Sequence, residues 1–169
     1  MADILNTNAY FINELTLPVD NINWQSYIDE HEPIILRKIL GYELYKEFIT
    51  ELAGTPSATW TNLRDGAEYT DSSGYLQKYD GIYSIIAEYV FCAIVADKQN
   101  YTTDSGVKIG GTENAENYNP RYKQKYAQND MVCRISVMND FINATNTETA
   151  DTYDNYLPET IVKGNIFNI

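Results

Sequence analysis

The clearest pattern in the chain is an apolar residue at every fourth position, from Leu36 through Leu40, Leu44 and Phe48 to Leu52, flanked by Ile35, Ile39 and Tyr45. This is the spacing of one buried helical face, so it predicts a helix over residues 33–52 with Pro33 at its first position, where a missing N–H costs nothing. Gly41 interrupts the ladder and predicts a close helix contact or a bend. Upstream, Trp24, Tyr27 and Ile28 share one face and predict a shorter helix over residues 22–31. Residues 1–20 carry scattered apolar side chains, among them Ile4, Leu5 and Phe11, and read as an arm docked on the body.

Beyond Gly54-Thr55-Pro56, residues 57–65 fit a short helix with Trp60 and Leu63 on its inner side, stopped by Gly66. The segment 68–81 places Tyr69, Tyr75 and Tyr79 around the turn signal Asp71-Ser72-Ser73-Gly74, as in an irregular hairpin or a long ordered loop. Residues 82–100 are apolar nearly all round and predict a helix at the centre of a bundle. Thr-Thr-Asp-Ser-Gly, Val107-Lys108-Ile109 and Gly110-Gly111 suit a hairpin or extended arm near 102–118. Asn119 and Pro120 form a cap and first turn for a helix running to about residue 146, with Met131, Ile135, Met138 and Ile142 on its buried face. The last stretch is rich in apolar side chains but has no helical period.

The whole reads as mainly α: a bundle of three to four main helices with one or two β-hairpin or extended-arm excursions and an extended C-terminal tail. Residues 1–152 are expected to form a single helical domain with an N-terminal arm and a loop protruding near 102–118, and residues 153–169 an extended docking tail. At 169 residues with 44% hydrophobic side chains, one sizeable core suffices.

Charge narrows the function. With 24 acidic against 12 basic side chains the formal charge is −12, which disfavours a general nucleic-acid or anionic-membrane binder, since both need clustered cations. The longest apolar stretch spans about 15 residues and falls short of the roughly 20 that cross a bilayer. The first residues lack the basic and apolar regions of a secretory signal, so a protein made and kept in the cytoplasm is expected, with Cys92 and Cys133 as reduced core residues. No cofactor or metal is called for. The single histidine, His31, has no HExxH context and reads as a solvated helix end, and the Gly106–Gly111 region lacks the lysine and hydroxyl of a phosphate loop. No catalytic constellation emerges.

Two features stand out. Arg121, Lys123 and Lys125 fall in the opening turns of the last helix, where the helix dipole favours acids, and Tyr118, Tyr122 and Tyr126 interleave with them. They form either a solvated face or a surface that meets the acidic side of a neighbouring subunit. The tail carries Tyr156, Leu157, Pro158, Ile161, Val162, Ile166, Phe167 and Ile169, too apolar for a solvated end. Either it packs back on its own domain or it binds a partner.

Taken in order, Glu32-Pro33, Ile39-Leu40-Gly41-Tyr42-Glu43-Leu44-Tyr45, Trp60-x-x-Leu63-x-x-Gly66, the Gly106-Val107-Lys108 turn with Glu113-Asn114-Ala115, and the closing Gly164-Asn165-Ile166-Phe167-Asn168-Ile169 make a pattern covering most of the chain. It resembles the head-to-tail connector (adaptor) proteins of tailed bacteriophages, in the version found in crAss-like and other Bacteroidetes phages. The resemblance implies a structural virion protein of the neck: a ring, commonly of twelve copies, beneath the portal, extending the DNA channel and bearing the next neck or tail component, with no cofactor and no membrane. It makes Tyr156, Leu157, Pro158, Ile161, Val162, Ile166, Phe167 and Ile169 the portal-docking segment. Val107, Lys108 and Ile109 would lie on an intersubunit or lumen arm, and Arg121, Tyr122, Lys123, Lys125 and Tyr126 on an intersubunit surface. Two other classes stay open: an acidic inhibitor or DNA mimic, and a small cytoplasmic enzyme without a recognisable motif.

Overall fold

The computed structural model describes Ile4 and residues 23–103, 106–109, 120–148 and 152–156. Five helices and two two-stranded antiparallel hairpins alternate along the described chain: α1 Trp24–Leu40, α2 Tyr42–Leu52, α3 Ala58–Asp65, β1 Ala67–Thr70 with β2 Leu76–Tyr79, α4 Ile82–Gln99, β3 Asn100–Thr103 with β4 Gly106–Ile109, and α5 Pro120–Glu148. The mainly helical class with hairpin excursions is as the sequence predicts.

The first helical region departs from expectation. Pro33 does not open a helix: it lies inside α1, which starts at an Asn23 cap whose side chain accepts from the Ser26 N–H. An interior proline costs a hydrogen bond and strains the preceding turn. Here Trp24, Ile28, Ile35, Leu36, Ile39 and Leu40 are buried on both sides of it, and that continuous core face carries the helix through. The apolar ladder is instead cut at Gly41, whose φ of 80° belongs to the left-handed region that favours glycine. The Gly41 N–H closes α1 on the Arg37 carbonyl and its own carbonyl accepts from Tyr45, so one residue ends one helix and starts the next.

At the centre lies α4, with every residue from Ser84 to Val95 buried; it packs chiefly against α5 and then α1. A helix apolar on all sides must be enclosed on all sides, and this one is. Two of its buried polar members have near partners: Ser84 Oγ donates to the Gly81 carbonyl at 2.8 Å, and Arg134 Nε on α5 donates to Glu88 Oε1 at 2.8 Å. Near the start of α5 the buried Gln124 amide donates to the Cys92 carbonyl at 3.2 Å while the Cys92 thiol points to the Gln124 carbonyl at 3.5 Å. Burial pushes the Cys92 thiol up to about 12, so it stays a neutral packing group.

Of the two forms expected for this segment, an irregular hairpin or a long ordered loop, the hairpin is found, and residues 67–79 pair in regular register, Ala67 opposite Tyr79 and Thr70 opposite Leu76. Its inner side is fixed by Tyr79, which stacks on Phe141 of α5 at 4.8 Å between ring centres and donates its hydroxyl to the Leu63 carbonyl at 3.0 Å. Tyr69 meets the same phenylalanine edge-on. The N-terminal arm is represented by Ile4, which is buried and donates its N–H to the buried Glu32 carboxylate at 3.0 Å.

The domain extends beyond residue 152. Tyr153 is 1% exposed, donates its hydroxyl to the Thr59 carbonyl at 2.9 Å and exchanges two hydrogen bonds with the Asn146 side chain. Tyr156 packs half-buried on the core and donates its hydroxyl to Asn139 Oδ1. The sequence could not reveal this because the two tyrosines follow a polar run and lack helical spacing.

Candidate functional site

The features that set this surface apart are large apolar side chains left in water: Tyr42 at 64% exposure, and Tyr75, Leu76 and Tyr126 at 69% each. Tyr75 and Leu76 sit at the tip of the β1–β2 hairpin, and the tip is rigid for a local reason. Asp71 Oδ1 accepts from the backbone N–H groups of Ser73 and Tyr75, both at 2.9 Å, and Oδ2 accepts from the Gln77 amide at 2.9 Å. The backbone closes the same turn, with Asp71 N–H on the Tyr75 carbonyl and Gly74 N–H on the Asp71 carbonyl. These donors, the Tyr75 N–H foremost, hold the Asp71 carboxyl below its ordinary range and keep it charged. A chain so tied presents its exposed pair at little further entropic cost.

Alternation sorts the hairpin into two faces. Ala67, Tyr69, Gln77 and Tyr79 share the inner side, and Glu68, Thr70, Leu76 and Lys78 share the outer side, all four exposed. Lys78 pairs with Asp80 at 3.0 Å, and Asp80 also receives Arg134 Nη1 at 3.3 Å. Residues 66–81 hold Glu68, Asp71 and Asp80 against Lys78 alone, so this surface is acidic and carries an apolar tip.

The basic and aromatic candidates occupy the other end of α5 from Phe141. Lys125 and Tyr126 are exposed, next to the buried Gln124 and Ala127. Arg121, Tyr122 and Lys123 stand in the same opening turns; their side chains lie outside the described residues. Val107, Lys108 and Ile109 are strand residues of β4, opposite Thr102, Tyr101 and Asn100, also with side chains outside the described set. The expected docking segment is divided: Tyr156 belongs to the domain surface, whereas Leu157, Pro158, Ile161, Val162, Ile166, Phe167 and Ile169 lie outside the described residues. Sequence reading missed Tyr75 and Leu76; the signal was there in the turn Asp71-Ser72-Ser73-Gly74 immediately before two large apolar residues.

Two single-residue expectations change. His31 is no solvated helix end: its ring lies between Tyr27, stacked at 6.2 Å, and Tyr89, edge-on at 5.9 Å, and its buried Nδ1 has no hydrogen-bond partner among the described residues. Cys133 is exposed rather than a core residue, because the buried stripe of α5 follows Ala127, Met131, Ile135, Met138 and Ile142 and leaves position 133 outside it.

Among the described residues no group of three or more His, Cys, Asp and Glu side chains converges as a metal site would need, and no helix is long and apolar enough to cross a membrane. No family model, curated protein or solved structure matches this chain.

Proposed function

We propose that the protein is a structural subunit of a bacteriophage neck, forming a ring that joins the capsid portal to the tail and extends the DNA channel. The observation that carries the reading is the exposed Tyr75–Leu76 pair on a hairpin held rigid by Asp71, an apolar tip built for contact with another protein chain. Tyr42 and Tyr126 give the same body further unburied aromatic surface on other elements. The net charge of −12 fits a channel that passes DNA without holding it, because an acidic wall repels phosphate. The resemblance noted above supplies the architecture: a closed ring of identical copies, most often twelve, with portal on one side, the next neck or tail component on the other, and its place in the virion.

The test is imaging and native mass spectrometry of the full chain, alone and with a portal. A closed ring on the portal is expected, together with no measurable duplex binding at physiological salt. A neck reconstruction with only monomers or two-fold dimers overturns the reading, and so does tight, salt-sensitive duplex binding by the isolated chain.

A further inference from the structure

We infer that the outer face of the β1–β2 hairpin docks on the opening turns of α5 in a second copy of this chain, in a head-to-tail contact. This rests on the ring reading above and adds which surfaces meet.

Among the described residues, neither surface is covered within one copy. Leu76 and Tyr75 stand 69% exposed on the hairpin and Tyr126 stands 69% exposed on α5, so they do not shield each other. The hairpin is anchored elsewhere on the same helix, through Tyr79 on Phe141 and Asp80 on Arg134. Those anchors lie about 12–22 Å along α5 from Tyr126, at 1.5 Å per residue. The Asp71 ties leave the tip little freedom to bend toward its own helix start.

Charge selects the occupant. A chain with twice as many acids as bases repels copies of itself over most of its surface. The run from Pro120 to Asn129 is the most basic ten-residue stretch of the sequence: it holds Arg121, Lys123 and Lys125, a quarter of the 12 basic residues, and no acid. The hairpin offers the complement, an outward Glu68 and the charged Asp71 beside an apolar tip, to set against Lys125 and the exposed ring of Tyr126. Opposite signs steer the encounter, and the apolar pair closes over the tyrosine. The two surfaces are different parts of one chain, so the contact is heterologous: it leaves one hairpin and one helix start free at the ends of any open assembly and is satisfied throughout only when a ring closes.

The test uses the full-length chain in sedimentation velocity at low ionic strength, raised to about 1 mM, where even a weak contact of about −4 kcal/mol registers. Leu76→Lys sets a cation against cations, and Tyr126→Ala removes the apolar half of the receiving surface; both positions are exposed, and unchanged circular dichroism and melting temperature check the fold. Each variant alone is expected to lose self-association at least tenfold. Mixed in equal amounts they should form a one-to-one pair that grows no further, because the mixture holds one intact hairpin and one intact helix start on different copies. A parent chain that is monomeric throughout overturns the inference. So does either variant assembling as the parent does, or a mixture that fails to pair. A ring seen on the portal with these surfaces apart removes the contact and leaves the connector reading. Self-association through this contact in a chain that binds no portal does the reverse.

Discussion

Gly66 and Gly81 lie backbone against backbone at the base of the β1–β2 hairpin. A methyl group on Gly66 would fall on the Tyr79 carbonyl oxygen, and one on Gly81 would come within 2.6 Å of the Arg64 carbonyl oxygen. Their φ angles of 99° and 88° are of the kind glycine alone adopts freely. This crossing joins the end of α3 to the start of α4 and sets where the hairpin leaves the body.

Either glycine changed to alanine should therefore destabilise the fold by about 3 kcal/mol or more, from strained backbone and steric clash together. Gly74 is the control. Its φ is 84°, but nothing lies within 4 Å of an added Cβ, so Gly74→Ala should cost only about 1 kcal/mol. Denaturant midpoints at unchanged slope measure the difference. Equal losses at all three positions would show that backbone conformation alone, and not the close crossing, sets the cost.

The Arg134–Glu88 pair gives a second prediction. The Glu88 side chain is 6% exposed and takes the Arg134 Nε at 2.8 Å. Removing the cation leaves a buried carboxylate without its charge partner, a change that typically costs about 3–5 kcal/mol. Arg134→Met should fall in that range, and adding Glu88→Gln should recover more than half of the loss. Lys78→Ala, which breaks an ion pair whose side chains are 75% and 51% exposed, should stay within about 0.5 kcal/mol. Thermal melts of the four proteins decide; an Arg134→Met variant as stable as Lys78→Ala would show that the charge pair contributes little.

A third prediction concerns alkaline pH. Burial raises the hydroxyl pKa of Tyr79 and Tyr153 well above the usual 10.0, and that of Tyr156 to about 12. Each of these hydroxyls donates a hydrogen bond, to Leu63, Thr59 and Asn139 in turn, and so must keep its proton in the fold. A folded pKa above the unfolded one gives a stabilisation that is complete below pH 10 and lost as pH rises through 10 toward 12, because the unfolded chain releases protons that the native one retains. The melting temperature should thus fall steeply over that interval, and tyrosinate absorbance should show a set of tyrosines that ionise only with unfolding. Tyr153→Phe should flatten the fall; an unchanged slope would assign it to other groups.

How far the sequence reached can be argued from single residues. The short helix ended by Gly66 and the enclosed helix from Ile82 were legible because each depends on its own composition and its own punctuation. Pro33 misled because a proline inside an apolar stretch carries the same local signal as a proline at a helix start, and only the burial of Ile28 before it and Ile35 after it, in a helix that packs on α4, distinguishes them. Gly41 announced an interruption without its kind, since a bend and a complete break differ in one φ angle. The basic and aromatic start of α5 was readable as composition. The turn before Tyr75 and Leu76 was readable too, but the exposure of that pair was not, because strand residues alternate between core and solvent and the register that sends Leu76 outward is set across the hairpin by Thr70.

The last prediction separates the domain from the segment that follows it. Tyr153 is held by Asn146, Thr59 and the edge of Trp60 at 5.7 Å, and Tyr156 by Asn139, so a truncation that removes them removes part of the core. Deleting residues 153–169 should cost about 3–5 kcal/mol, the usual range for loss of a buried large aromatic, and lower the melting temperature by roughly 10 °C in a chain of this size. Deleting only residues 157–169 spares both tyrosines and should leave the melting temperature and helical circular dichroism nearly unchanged. Under the connector reading that shorter deletion should still abolish attachment to the portal, because it removes Leu157, Pro158, Ile161, Val162, Ile166, Phe167 and Ile169 together. Burying Phe167 and Ile169 alone would contribute about 3–6 kcal/mol before the cost of ordering the segment. Co-sedimentation with portal particles reads the result. A chain lacking residues 157–169 that melts several degrees lower and still binds the portal would place the segment in the core and remove its docking role.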